Sequence, residues 1–298
     1  MHENVTQRMI TKEQHSILYS QLQQIADTLL LTGTLIECPG LVHGKTGIAL
    51  FFFHYARFTG NELFEEYGMD LLGAVQSQLK LSTPADYEDG IAGIGTSLHY
   101  LIRNGYIDAS DDFFDDFDRR MYRAVVSEPC PDYTLYRGLT GYGRYWIARM
   151  SDGNAVSRSQ EVALRIVGSI EQKLAETNES DNEEMEDMYC YLYDLKQTGV
   201  CDVRVKKLLD QCPVLLQQDT GPAFSRLGQS AEGELIRRYL NNHYVGLSYE
   251  VDIDLNTLSG SFPEKTIHQM GLLNGRSGQG LCRLTGLDPN IASWMRLL

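Results

Sequence analysis

The chain lacks the features typical of membrane, secreted and nucleic-acid-binding proteins. No apolar run reaches the roughly 18 residues needed to cross a bilayer, and the opening residues Met1–Asn4 do not begin an apolar signal segment. Six cysteines in 298 residues are too few for a disulfide framework. Lysine and arginine number 26 against 40 aspartates and glutamates, and the net charge of −14 disfavours nucleic-acid or anionic membrane partners. We therefore expect a cytoplasmic protein with free thiols and no membrane insertion.

What the sequence does contain is a pair of glycines, three positions apart, that recurs about every 46 residues and is followed at once by an apolar run. The clear pairs are Gly44 with Gly47, Gly90 with Gly93, Gly138 with Gly141, and Gly275 with Gly278. A period of 20 to 50 residues indicates stacked supersecondary units, each of which buries its apolar face only against its neighbours.

The intervals between the pairs predict two further copies. The third and fourth clear pairs begin 137 residues apart, which is close to three periods. One missing copy fits the segment Leu227–Gly233, with Gly228 as its first glycine and Ala231 in place of the second. The other should lie near 183, where Asn182–Glu186 contains no glycine. Six units are thus predicted, four of them clear.

Helical periodicity connects these turns. Leu18, Leu22 and Ile25 share one helix face, whereas Ile48–Tyr55 is apolar nearly all round and indicates a helix buried among others. Each unit therefore contains one amphipathic outer helix and one buried inner helix. The predicted fold is all-α: an α/α toroid of about six helical hairpins, forming a single domain over residues 1–298. An alternating segment, Ser248–Leu255, predicts a short β element near 248–256.

The turns resemble those of the lanthionine synthetase C-like family, the lanthipeptide cyclases. The first two repeats, Gly40–Leu50 and Asp86–Gly95, carry the resemblance, and the last, Gly271–Leu284, is the most similar. Residues 183–220 and 241–265 match poorly. The resemblance implies an α/α toroid, in agreement with the periodicity, although members of the family have seven hairpins.

The chemistry of the family does not carry over. Its cyclases hold zinc with two cysteines and a histidine, and the zinc activates a peptide thiol by stabilising the thiolate. The family's Cys-His pair would fall here on Arg226 and Leu227, its other cysteine near Asn182, and a further histidine on Arg137. Only an aspartate before the second repeat is retained, as Asp86. The sequence therefore predicts no zinc, no other cofactor and no zinc-dependent thioether formation.

Residues beside the turn glycines remain as candidates. His43 directly precedes Gly44, and Asp86 and Glu88 precede the second buried helix. We predict a binding rim from both groups and from the two arginines at family positions: Asp86, Glu88, His43, Arg137 and Arg226. Acid or base catalysis is a weaker role for Asp86, Glu88 and His43.

Three functions follow from these residues. The first is a zinc-free protein that binds a peptide or a partner protein in peptide maturation. The second is an enzyme that uses Asp86 or Glu88 with His43 on a sugar or a peptide. The third is an active cyclase with an unusual metal site. Cys190, Cys201 and Cys212, which are spaced by 11 residues, would be the ligands to test. The simpler interpretation is that these cysteines are three separate small apolar residues.

Overall fold

The computed structural model of the protein describes residues 11–127, 130–176, 182–212, 224–246, 258–260 and 266–298. Within these ranges the α-helices are α1 (Lys12–Thr32), α2 (Lys45–Thr59), α3 (Glu62–Gln78), α4 (Ile91–Arg103), α5 (Asp115–Val126), α6 (Leu139–Arg149), α7 (Val156–Glu176), α8 (Asn182–Gln197), α9 (Asp202–Gln211), α10 (Ala231–Val245) and α11 (Arg276–Leu287). The same ranges contain no strand, so the predicted all-α class is confirmed. The β element predicted near 248–256 lies outside the described residues.

Local signals set the helix boundaries. Thr11 and Gln14 form a capping box at the start of α1, in which the threonine hydroxyl accepts from the Gln14 N–H at 3.1 Å. Gly60 ends α2 in the left-handed conformation, with φ of 68°, that helix C-termini favour. None of the helices in the described ranges is long and apolar enough to cross a membrane.

Buried and amphipathic helices alternate along the chain, as predicted. From Lys45 to Ala56 every residue of α2 is buried, whereas α3 buries only Gly68, Leu71 and Val75. Four of the buried helices begin immediately after the first glycine of a pair, which is the N-cap residue. The glycine pairs therefore mark the entry to each buried helix.

Contacts between successive buried helices place the glycine-free repeat. Gly95 lies five residues after a turn glycine, and a Cβ there would lie 2.6 Å from Tyr145, which lies seven residues after the next turn glycine. Gly280 and Phe51, five and seven residues after their own turn glycines, make the same contact. Gly143, five residues after Gly138, makes it with Tyr191. Counting back seven residues from Tyr191 gives Glu184 as the equivalent position of the fourth repeat, although here it lies within the first turn of the helix Asn182–Gln197 and not before it. The copy predicted near 183 therefore exists as α8.

The fifth repeat has a different register from the one predicted. Its buried helix, α10, begins at Ala231 with Ser230 as N-cap, so Ser230 and Gly233 take the places of the two glycines, and Gly228 does not. A Cβ on Gly233 would overlap the carbonyl oxygen of Leu227, six residues earlier, as one on Gly278 would overlap that of Leu272. Serine replaces glycine here because it is a strong N-cap residue.

With this register the repeat is regular over the whole chain. The six turn positions are 44, 90, 138, 184, 230 and 275, separated by 46, 48, 46, 46 and 45 residues. The chain divides into two compact units. Unit 1 consists of residues 1–81 and 225–298, with the first, fifth and sixth repeats; unit 2 consists of residues 82–224, with the second, third and fourth. The single-domain organisation stays a prediction.

The last repeat contacts the first one in unit 1. The N–H groups of Leu272 and Leu273 donate to the carbonyl oxygen of Val42 at 2.7 and 3.1 Å. In unit 2 the N–H groups of Tyr87 and Glu88 donate to the carbonyl oxygen of Tyr136 at 2.9 and 3.0 Å, and these residues hold the equivalent positions of the second and third repeats. The sixth repeat therefore contacts the first in the same way as the second repeat contacts the third.

Candidate functional site

A cavity of about 220 Å³ lies in unit 1 at the N-terminal ends of α10 and α11. Its wall combines apolar side chains, such as Leu227 and Ile236, with polar ones. The polar lining residues are Ser230, Glu232, Asn274, Gln279 and Arg283. Since an engineered apolar cavity of about 150 Å³ holds benzene, this cavity has room for a small organic group.

A buried ion pair forms one side of the cavity. The Arg283 guanidinium, in a residue only 1% exposed, donates from Nη1 to Glu232 Oε1 at 3.0 Å and from Nε to Gln21 Oε1 at 2.8 Å. Gln21 in turn donates to the carbonyl oxygens of Ser259 and Gly260 at 3.0 and 3.1 Å. A buried charge requires such partners. Within this pair the two charges compensate each other.

The start of α10 is satisfied differently from the other buried helices. In four repeats the first-turn N–H groups donate to carbonyl oxygens seven residues earlier, for example Ile91 to Pro84 at 2.9 Å and Ser277 to Met270 at 3.1 Å. At α10 the Ser230 hydroxyl instead accepts from the Gly233 N–H at 3.1 Å. Within the described residues, the N–H groups of Ala231 and Glu232 have no acceptor. Both residues line the cavity.

Three of the five predicted rim residues form a cluster in unit 2. Arg137 donates from Nε to Glu88 Oε2 at 3.1 Å, and its side chain is 75% exposed. Asp86 Oδ1 accepts from the Asp89 N–H at 2.8 Å. Burial is the main cause that raises the pKa of the Asp86 carboxyl, and the Asp89 and Glu88 carboxylates raise it further. Asp86, Glu88 and Arg137 therefore form a charged group on the turns of the second and third repeats, in which Arg137 is exposed and the two carboxylates are half-buried.

The other two predicted rim residues belong to unit 1 and lie on different turns. His43 is half-buried on the turn of the first repeat, where its backbone closely approaches Gly271. Arg226 is half-buried on a 3₁₀ turn, Ser225–Leu227, and donates to the carbonyl oxygen of Leu298 at 3.4 Å. Neither residue lines the cavity of unit 1.

A serine, a histidine and an aspartate also meet in unit 2, at the C-terminal ends of α4 and α6. Ser151 Oγ lies 3.1 Å from His99 Nε2, and Asp152 Oδ1 lies 3.4 Å from the same nitrogen. In a catalytic triad the serine and the carboxylate use different ring nitrogens. Burial lowers the pKa of His99. The geometry is that of a structural network, which Arg149 extends by its bidentate pair with Asp118.

The family model for the lanthionine synthetase C-like protein matches residues 37–201, which is more than half of the chain. The chain belongs to the lanthionine synthetase C-like family. No curated protein matches its sequence. The matched segment contains the turns of the first four repeats, including His43, Asp86, Glu88 and Arg137.

The residues at the zinc positions of this lanthionine synthetase C-like chain do not fit the metal. With Ser230 as the turn residue of the fifth repeat, the family's Cys-His pair falls on Gly228 and Gln229, which corrects the assignment to Arg226 and Leu227. With Glu184 as the turn residue of the fourth, the other cysteine falls on Asn182. None of these is a thiolate or imidazole ligand. Among the described residues no group of three His, Cys, Asp or Glu side chains could hold a metal ion.

Sequence reasoning missed the polar residues of the cavity. Glu232 and Arg283 are 51 positions apart, and only the fold brings them together. One signal was available: Arg283 stands within the apolar run Leu281–Leu284, and an arginine on a buried helix face requires an acidic or polar partner. The other signal was Ser230, an N-cap residue directly before Ala231.

Proposed function

We propose that this lanthionine synthetase C-like protein binds a peptide or partner protein in peptide maturation and does not form thioethers through zinc. The observation that carries the proposal is the residue set at the three zinc positions, Asn182, Gly228 and Gln229. Without a soft ligand set, a peptide thiol cannot be activated as a zinc-bound thiolate. Peptide recognition does not depend on those ligands.

Two features of the described residues support a binding role. The cavity in unit 1 combines an apolar wall with a few polar groups, as small-molecule and side-chain pockets do. The cluster of Asp86, Glu88 and Arg137 in unit 2 offers both signs of charge at an accessible surface. Exposed charges of this kind contribute mainly to association rate and specificity.

The test measures metal content and cyclisation together. The purified full chain should contain far less than one zinc per molecule by elemental analysis. It should leave a peptide with one dehydroalanine and one cysteine uncyclised at the background rate, with or without added zinc. About one bound zinc per chain together with zinc-dependent cyclisation would establish the active-cyclase alternative, and variants of Cys190, Cys201 and Cys212 would then identify the ligands.

The raised pKa of the Asp86 carboxyl supports a second candidate function, which is acid or base catalysis on a sugar or a peptide. The variants Asp86→Asn and Arg137→Gln distinguish the two roles. A binding surface predicts that both variants weaken the association with a peptide partner in a salt-dependent way, because exposed charges act over about 8–10 Å at physiological ionic strength. Catalysis predicts a loss of turnover of about 10²–10⁴-fold in Asp86→Asn while binding survives.

A further inference from the structure

The cavity of unit 1 is lined by a largely buried glutamine that has one hydrogen-bond donor without a partner in the described part of the chain. Gln279 is 5% exposed, and its Oε1 accepts from Arg276 Nη1 at 3.1 Å. Its Nε2 makes no hydrogen bond within the described residues. This nitrogen is not fully enclosed, so its partner is a water or a ligand in the adjoining space. Because Gln279 lines the cavity, that partner can be a ligand in it.

The opposite polar group in the cavity is an acceptor. Glu232 uses Oε1 for Arg283, and its Oε2 accepts no hydrogen bond from the described residues. The N–H groups of Ala231 and Glu232 supply two further donors at the first turn of α10, where the helix dipole also favours an acceptor oxygen. The cavity therefore offers donors and an acceptor to the same ligand.

Among the residues that line the cavity the charges favour a neutral ligand; Arg276, which contacts Gln279 from outside the lining, is not part of this balance. The Glu232 carboxylate repels an anion such as a carboxylate side chain, and the Arg283 guanidinium, 3.0 Å from it, repels an ammonium group. A primary carboxamide carries no charge, accepts through its oxygen and donates through its NH₂ group. Its volume also suits a cavity of about 220 Å³.

We propose that the cavity between the starts of α10 and α11 is a subsite for a neutral carboxamide side chain, asparagine or glutamine, of a bound peptide. Gln279 Nε2 and the N–H groups of Ala231 and Glu232 donate to the carboxamide oxygen, and Glu232 Oε2 accepts from its NH₂ group. This inference rests on the proposed peptide-binding function and specifies the side chain that is recognised.

The experiment compares two probes of the same shape, N-acetyl-glutamine N′-methylamide and N-acetyl-glutamate N′-methylamide, titrated into the full chain at pH 7 and followed by NMR. The glutamine probe should bind at least about tenfold more tightly, which corresponds to 1.4 kcal/mol, and should shift the amide signals of Ala231 and Glu232. Equal affinities, or no binding of the glutamine probe, would overturn the subsite.

Two variants control the assignment. Gln279→Glu keeps an oxygen for Arg276 but replaces the donor with an acceptor, so it should abolish the preference for the glutamine probe. Gln23→Glu makes the same change at an exposed residue of α1 outside the cavity lining and should leave the preference intact. If Gln279→Glu retained the preference while correctly folded, the proposal would be wrong. If a longer peptide bound to the chain but the glutamine probe did not, the subsite alone would fail and the binding function would stand.

Discussion

The turns that precede α10 and α11 both lie in unit 1, enter buried helices and line one cavity, yet they are closed in different ways. At α11 the chain itself closes the turn, since the N–H groups of Ser277 and Gly278 donate to the carbonyl oxygens of Met270 and Gly271 at 3.1 and 3.4 Å. At α10 one serine hydroxyl satisfies one N–H group, and the N–H groups of Ala231 and Glu232 find no acceptor in the described residues.

This difference indicates where a repeat protein keeps room for a ligand. A turn whose loop carbonyl oxygens cap the following helix leaves fewer backbone donors unsatisfied, although the Ser277 hydroxyl at α11 is buried without a partner in the described residues. A turn in which a side chain replaces that capping leaves donors and space together; Ser230 is exposed and Ala231 and Glu232 are half-buried, so these donors lie at the open side of the cavity. The cavity of unit 1 therefore lies between its least regular turn, at α10, and the glycine-rich turn at α11.

The largest expected effect comes from disrupting the closed turn. A Cβ on Gly278 would overlap the backbone carbonyl of Leu272, which cannot move away as a side-chain end could. We expect Gly278→Ala to lower the free energy of unfolding by about 1–3 kcal/mol or more, measured by urea denaturation. The control is Gly73→Ala in α3, where a Cβ meets nothing within 4 Å. That substitution should stabilise the protein by up to about 1 kcal/mol. Equal effects of the two changes would show that the turn tolerates a side chain.

Acid should also lower the free energy of unfolding through α2, the buried helix that follows the turn of the first repeat. His54 is 3% exposed, and burial, together with the Arg57 charge, lowers its pKa to about 3. Between pH 6.5 and 3 the unfolded chain binds a proton that the folded chain does not, so stability is present above this window and lost as pH falls. From pH 6 to pH 4 we expect a loss of about 2 kcal/mol from this group.

The measurement is the free energy of unfolding against pH for the native chain and for His54→Gln. Carboxylates also titrate in this range, so the difference between the two profiles isolates the histidine. The profile of the variant should fall less steeply between pH 6 and pH 4. Parallel profiles would mean that His54 is protonated in the folded state, contrary to its burial.

The sequence predicted the repeat, the alternation of helices and four of the turns, because glycine spacing and apolar periodicity are local signals. It misplaced the fifth turn, since Gly228 was counted as a turn glycine although Ser230 performs that role as an N-cap. The fourth turn had no local signal. Its position follows from the packing of Tyr191 on Gly143, which joins residues 48 positions apart and is visible only in three dimensions.

The candidate site residues were likewise predicted only in part from the sequence. Asp86 and Glu88 were selected because they precede a turn glycine and Arg137 because it falls at a family position, and the structure places Glu88 against Arg137. The cavity residues Gln279 and Arg283 were not selected, because a glutamine and an arginine on a buried helix are ordinary until their partners are known. Partners that come from another repeat depend on the register between repeats, which the sequence did not settle at the fifth turn.

The smallest expected effect tests whether glycine alone closes a turn. Ser230→Ala removes the hydroxyl that accepts from the Gly233 N–H and should cost about 1 kcal/mol of stability. Ser230→Gly restores the residue of the closed turns and should cost only a few tenths of a kcal/mol. We expect that it does not close the turn, because the preceding loop is held in a different path by Phe224 and Gly228, both in the left-handed region with φ of 56° and 74°. Amide hydrogen exchange of Ala231 and Glu232 in Ser230→Gly provides the measurement, with fast exchange expected as in the native chain. Strong protection of both amides in that variant would mean that the serine, and not the loop path, keeps the cavity open.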